Sequence, residues 1–231
     1  MTWLLRFFRV TAARPVWMLA LLTALGLYAG AITAVDVRSV DEALAMLLLS
    51  QMFSASAGFR QPAAAGHFAP ALVRFDRARV AVAHAMHAIW PVTALWAAVG
   101  VIDAIAHGGT PLAVEPGRLA AFAFVSLASW AFGLPAPRLL TGALWLGVIV
   151  ASVTSRCGPG QYAAMLNRAD GSIAELLHAT ALAVVCPFIM MGDHMPPRDG
   201  ITITLAIASA VAAAAGVLYV ARRDYPLEAS L

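Results

Sequence analysis

Residues 60–79, RQPAAAGHFAPALVRFDRAR, separate two long apolar runs and form the main basic interruption between them. The stretch contains one acid, Asp76, and four arginines: Arg60, Arg74, Arg77 and Arg79. Within it, residues 66–73 (GHFAPALV) form an amphipathic segment that is too short to cross a bilayer. Because basic loops between membrane spans lie on the cytoplasmic side, we expect a short helix there along the membrane surface, where it can touch a soluble partner.

The bulk composition is that of an integral membrane protein. The chain has 231 residues, of which 61% are hydrophobic and 12% charged, and its mean hydropathy is +0.81. A soluble domain carries about a quarter charged residues. The period-two alternation of a membrane barrel is absent. The two cysteines, Cys157 and Cys186, are too few for a disulfide framework and have no metal-ligand spacing.

Six stretches have the length and character of membrane-spanning helices, and the sequence predicts a single transmembrane domain over residues 1–231 with no soluble domain. These stretches are 15–35, 43–59, 80–106, 119–134, 139–154 and 201–221. The third exceeds the bilayer core, so we expect it to tilt, protrude or kink, and Pro91 is the expected kink. In the second, the polar side chains Ser50, Gln51, Ser54 and Ser56 are expected to face other helices.

A seventh apolar stretch, 173–191, is interrupted by Glu175, His178 and Pro187. Such interruptions favour a re-entrant element over a lipid-facing span. With an N-terminus in the cytoplasm, this interpretation returns the C-terminus to the cytoplasm and places ten arginines inside against five outside. A complete crossing at 173–191 is the alternative, and it would put Arg222 and Arg223 outside.

The N-terminal segment 2–12 places aromatic rings beside arginines, as an interfacial helix does. The residues concerned are Trp3, Arg6, Phe7, Phe8 and Arg9. An ordinary basic N-terminal flank is the alternative. A cleaved signal peptide is disfavoured because no small-residue cleavage site follows at the right distance.

Intramembrane histidines are the main candidates for chemistry. His84 and His87 share one face of the third span, which suits a metal or haem pair or a proton relay. We favour histidines near the cytoplasmic end of the span that are hydrogen-bonded to neighbours, because no other span offers a matching deep histidine. Glu175 and His178 have di-iron spacing but lack the second copy that such a site needs. Asp103 and His107, one turn apart, are expected to form a surface ion pair. Gly142 and Gly147 are weak indications of close helix contact.

This organisation resembles the permease subunit of an ABC transporter of the ABC-2 (type V exporter) class. The resemblance covers nearly the whole chain in architecture. In that family the loop after the second span has a Gly-x-apolar-x-x-Leu form followed by arginine, and Gly66, Phe68 and Leu72 with Arg77 match it loosely. The tail from Arg222 to Glu228 also resembles the family's ending. The acidic residue that usually precedes the glycine is missing here, which puts the detailed coupling contacts in doubt.

The resemblance implies a permease without catalytic residues, metal or cofactor of its own, in the bacterial inner membrane with both termini cytoplasmic. It implies pairing with a second permease subunit, identical or different, and docking to a separate ATPase subunit that binds ATP and Mg²⁺. The residues expected to contact this ATPase are Gly66, His67, Phe68, Pro70, Leu72 and Arg77. Substituting Phe68 by Asp is expected to leave folding intact. The element at 173–191 would cap the outer mouth of the path.

The composition indicates that the ATPase implied by this resemblance would be a separate polypeptide. All fifteen basic residues are arginine, and a phosphate-binding P-loop requires a lysine. The chain therefore has no P-loop of its own. Its expected partners are the ATPase, a second permease and the lipid bilayer, with no nucleic acid. Two alternatives stay open: a redox, metal- or haem-handling bundle that uses the intramembrane histidines, and a membrane adaptor that transports nothing.

Overall fold

The computed structural model describes residues 37–56, 68–107, 110–136 and 199–223, together with positions 3, 140, 143, 144, 146 and 147. The described part is helical and contains no strand. Its helices are α1 (Val37–Ala55), α2 (Ala69–Arg74), α3 (Arg77–His107), α4 (Pro116–Gly133) and α5 (Asp199–Arg222), with a one-turn 3-10 helix at Leu112–Val114. The all-helical prediction is thus confirmed for the described residues. The expected spans 15–35 and 139–154 and the re-entrant stretch 173–191 lie outside them, apart from single positions.

The α2–α3 junction is set by its sequence. Pro70 lies in the first turn of α2, where its missing N–H costs nothing. Phe75 is extended and ends the helix. The Asp76 carboxylate then accepts a hydrogen bond from the Ala78 N–H at 3.3 Å and caps α3. The only acid of the basic loop therefore starts the next helix.

Among the described residues, two helices are long and apolar enough to cross a membrane, at Arg77–Ala106 and Leu205–Arg222. Core helices of soluble proteins are mostly buried, whereas only 33% and 22% of the apolar windows of these two helices are buried here. At about 1.5 Å per residue, the 31 residues of α3 extend about 46 Å, well beyond a hydrocarbon core of about 30 Å. Pro91 lies inside α3 as predicted.

The four long helices form one bundle in which α3 and α4 are central. Helix α1 packs against α3 and α4 on one side, and α5 packs against α4 and α3 on the other. Buried apolar residues form two clusters along its length. One joins α1, α3, α4 and α5 around Leu44, Trp96 and Phe122. The other joins α2, α3, α4 and α5 around Phe68, Val80 and Trp130.

Helices α4 and α5 run parallel to one another. Near their starts, a Cβ atom placed at Gly117 would lie 3.8 Å from the Thr202 hydroxyl, and near their ends Gly216 lies against the Trp130 ring. Helix α3 runs the opposite way, because Arg77 at its start bonds to carbonyls at the end of α5. The end of α5 and the start of α3 therefore lie at the same end of the bundle.

The described charges are unevenly divided between the two ends of this bundle. One end carries a single acid, Asp76, and five arginines, namely Arg74, Arg77, Arg79, Arg222 and Arg223. We call it the arginine-rich end. The charged residues of the opposite end are Arg38, Asp41, Glu42, Asp103, Glu115, Arg118 and Asp199. Arg118 is buried with its Nε 3.0 Å from the Glu115 carboxylate. Asp103 is also buried, so it does not lie at the surface as expected, and its ion pair with His107 stays a prediction. The His107 side chain lies outside the described part.

Candidate functional site: helix α2 at the arginine-rich end

Helix α2 has one face on the bundle and one face exposed. Phe68, immediately before it, is 3% exposed, and Ala69 and Ala71 are also buried. Pro70 is exposed, as are Val73, whose side chain is 74% exposed, and Arg74. The inner face fixes α2 to the bundle, and the outer face is open to a partner.

This division corrects one expectation about the site. Phe68 belongs to the bundle core, and Leu72 packs against the same cluster. Burial of a phenylalanine side chain contributes several kcal/mol, about 3–5 kcal/mol on replacement by Ala. A carboxylate in place of Phe68 would therefore destabilise the fold, contrary to the expectation that folding survives. The exposed surface consists of Pro70, Val73 and Arg74, and sequence reasoning did not select the last two. Gly66 and His67 lie outside the described residues.

The inner face of α2 is connected to three long helices through a chain of side-chain contacts. The Phe68 ring meets the His84 imidazole edge-on, with 6.1 Å between centroids. Trp130 Nε1–H donates a hydrogen bond to His84 Nδ1 at 3.0 Å. The Trp130 ring in turn lies against Gly216, where a Cβ atom would come within 2.8 Å of the ring. Residues Phe68, His84, Trp130 and Gly216 thus link α2 to α3, α4 and α5, and we call them the contact chain.

This hydrogen bond shows which nitrogen of a neutral His84 imidazole carries the proton. An indole N–H is a donor only, so Nδ1 must be the acceptor nitrogen of the imidazole. In a neutral ring the proton then sits on Nε2, and the ring lone pair is already used by Trp130. This geometry matches the expectation that His84 is hydrogen-bonded to its neighbours, and it gives His84 no lone pair for a metal. His87 also has an interaction within the protein. Among the described residues, no group of three or more His, Cys, Asp or Glu side chains is placed to hold a metal.

Arg77 joins the start of α3 to the end of α5. One of its guanidinium nitrogens donates to the carbonyls of Ala221 at 3.3 Å and Arg223 at 3.0 Å. The last carbonyls of a helix have no partner in their own helix, and a cation there also favours the helix dipole. Arg77 was expected to contact an ATPase directly; its guanidinium instead secures α5. The arginine position was recognisable from sequence, but its partner in α5 was not.

The N-terminal segment is represented by Trp3, which lies beside α2. Its ring centroid is 5.6 Å from that of Phe75. The Arg74 guanidinium lies 5.3 Å from the Trp3 centroid and 5.9 Å from the Phe75 centroid. Such cation–π contacts contribute about 0.5–1 kcal/mol at exposed sites. The expected interfacial residues Arg6, Phe7, Phe8 and Arg9 lie outside the described part of the chain, as do Glu175, His178 and Pro187.

The core between α1 and its neighbours contains polar side chains. The amide of Gln51 and the hydroxyl of Ser129 are both fully buried, and neither has a hydrogen-bond partner among the described residues. Ser54 donates to the Ala88 carbonyl at 3.3 Å, and Ser56 is buried. The prediction that the polar positions of the second span face other helices is confirmed for Gln51, Ser54 and Ser56. A buried amide is costly unless it is hydrogen-bonded.

Comparisons with family models, with curated proteins and with solved structures find no match. The function is therefore argued from the site described above.

Proposed function

We propose that this chain is the membrane-embedded permease subunit of an ATP-driven exporter of the ABC-2 type. It spans the bilayer of a bacterial inner membrane and has no catalytic role itself. ATP and Mg²⁺ bind to a separate ATPase subunit, and a second permease subunit completes the path. The observation that carries the proposal is the two-sided α2 helix, with an exposed outer face and an inner face joined to three long helices.

Mechanical coupling requires that a push on a surface element reach the membrane-spanning helices. Phe68 is packed into the bundle, and the contact chain runs from it to α3, α4 and α5. Arg77 follows α2 by three residues and is bonded to the end of α5. Displacement of α2 by a partner would therefore act on both α3 and α5. The exposed Pro70, Val73 and Arg74 would form the contact with the ATPase.

The orientation of the helices supports the six-span topology. If α4 and α5 both span the membrane, their parallel directions require an odd number of complete crossings between them. A single span at 139–154 meets this condition when 173–191 does not cross. In addition, Trp3 and Arg223 lie at the same end of the bundle, because Trp3 contacts Arg74 while Arg77 contacts the Arg223 carbonyl. A chain that crosses the membrane an even number of times has both of its ends on the same side.

The arginine-rich end is assigned to the cytoplasm by the positive-inside rule. This puts α2 on the side where ATP is available. The buried polar groups of Gln51 and Ser129 support a path for a polar solute between α1 and α4.

The proposal is tested by introducing a charge on the outer face of α2. Val73→Asp in the full chain, co-expressed with its proposed ATPase subunit, is expected to abolish stimulation of ATP hydrolysis while the permease folds normally. Val114→Asp is the matched control, because Val114 is also an exposed valine but lies at the opposite end. Full stimulation in Val73→Asp would remove α2 as the coupling element. A purified protein with a Soret band or bound metal would favour the redox alternative.

A further inference from the structure

An apolar groove runs along the outside of the bundle between α3, α4 and α5. Its volume is about 620 Å³. Most of its wall comes from one face of α3, its floor from α4 and its far side from α5. The residues that line the groove include Val82, Met86, Trp90, Ala94, Trp130 and Val217.

The groove offers an occupant apolar contacts but few polar ones. Among its lining residues, Thr93 donates its hydroxyl to the Ile89 carbonyl at 3.0 Å. Trp130 donates its N–H to His84. Met86 and Trp90 are 47% and 55% exposed. From Val82 to Ala97 the groove follows α3 for about 22 Å at 1.5 Å per residue, which is more than one leaflet of a hydrocarbon core of about 30 Å.

A positive charge lies at the cytoplasmic end of this groove. Arg79 is exposed and lies three residues before Val82, about 60° around the helix and therefore on the groove face. Among the described residues of the arginine-rich end, the one acid is Asp76, and one of its carboxylate oxygens accepts a hydrogen bond from the Ala78 N–H in the α3 cap. The guanidinium of Arg79 therefore offers a positive charge to an anionic group in the headgroup region.

We propose that this groove binds an anionic phospholipid of the cytoplasmic leaflet, with an acyl chain along Val82–Ala97 and the phosphate at Arg79. An apolar groove that ends at an arginine complements both parts of such a molecule, and basic pockets between transmembrane helices bind anionic headgroups on the cytoplasmic side. A helix of this chain or of a second copy would fill the apolar part of the groove but would not complement the positive charge at the cytoplasmic end. The site requires only that the chain lie in a membrane, and it does not depend on the permease assignment.

The occupant is identified by a photo-crosslinking amino acid at Met86, in the middle of the groove, in native membranes. The expected product, detected by mass spectrometry, is the chain carrying one phospholipid, enriched in anionic headgroups. A product of twice the mass of the chain would mean that a second copy fills the groove. An internal cross-link to residues 15–35 would mean that the first span fills it. Either of these two results overturns the proposal.

The headgroup contact is tested by binding in nanodiscs of phosphatidylglycerol or phosphatidylcholine. Arg79→Gln is expected to weaken retention of phosphatidylglycerol about fivefold and leave retention of phosphatidylcholine unchanged. Arg222→Gln is the matched control, because it removes the same charge at the same end but lies about 140° around α5 from Val217. Ala94→Trp, which fills the groove, is expected to reduce retention of both lipids. Equal retention by Arg79→Gln and the unaltered chain, or equal affinity for the two lipids, would overturn the proposal.

Discussion

The contact between His84 and Trp130 is the central residue-scale feature of the arginine-rich end. It joins α3 to α4 inside the bundle, and Phe68 rests against the same imidazole. The pair could not be recognised from sequence, because the two residues are 46 positions apart and the histidine spacing alone suggested a ligand. A tryptophan N–H that needs a buried acceptor explains this histidine without a cofactor.

The energetic coupling between these two residues is measurable. Trp130→Phe and His84→Leu each leave one polar group buried without its partner, at a cost of about 1–3 kcal/mol. In the double variant neither polar group remains, so the combined loss should be about 1 kcal/mol less than the sum. Detergent-based unfolding of the four proteins measures this. Strict additivity would mean that the hydrogen bond does not contribute to stability.

Close helix contacts at two glycines determine how the elements pack. A Cβ atom at Gly133 would lie 2.6 Å from the Cα of Ser56, and one at Gly216 would enter the Trp130 ring. The contacts hold α1 and α5 against α4. Gly147, which the sequence weakly indicated for such a contact, has no described atom within 4 Å of a Cβ placed there, so a close contact at Gly147 stays a prediction. Gly142 lies outside the described residues.

Larger side chains at the two close contacts should disrupt packing. Gly133→Val and Gly216→Val are each expected to destabilise the protein by about 2 kcal/mol, because the added atoms overlap backbone or ring atoms. Gly147→Val provides a matched control and is expected to have little effect. Thermal unfolding in detergent ranks the three variants. Comparable loss in all three would show that valine itself, and not the contact, is responsible.

Arg77 ties two elements at the arginine-rich end, and its removal should loosen the last turn of α5. Hydrogen bonds from a charged donor contribute about 1.5–3 kcal/mol. Arg77→Gln is therefore expected to speed amide hydrogen exchange in residues 219–222 about tenfold. Arg79→Gln removes the same charge two residues later and should leave that exchange unchanged. A similar acceleration in both would assign the effect to net charge.

The sequence predicted the positions of the long helices well, but it predicted poorly which residues contact one another between them. Apolar length located α3, α4 and α5 within three residues and α1 within six, because bilayer-scale runs leave little choice of secondary structure. Asp76 just before an apolar run is a recognisable start signal for a helix, and the prediction began α3 three residues late without it. The burial of Phe68 was missed because an amphipathic octapeptide does not reveal which partner its apolar face meets. The partners of Arg77 and His84 depend on tertiary packing and had no local signal.

At the scale of the whole molecule, the proposed orientation in the membrane rests on the parallel α4 and α5 and on the clustered arginines. In a background without Cys157 and Cys186, Val73→Cys should react with a membrane-impermeant thiol reagent only after the cytoplasmic side is opened. Thr110→Cys, exposed at the opposite end, should react from the outside in intact cells. The reverse pattern would invert the topology and place α2 away from ATP.

The central claim is that the outer face of α2 seats a separate ATPase, and a photo-crosslinking amino acid at Val73 in intact cells tests it most directly. The account predicts a covalent product with one ATP-hydrolysing subunit, reduced when Arg74 is also changed to Glu and absent when the crosslinker is moved to Val114. Products with lipid alone, or with residues of this chain, would contradict it.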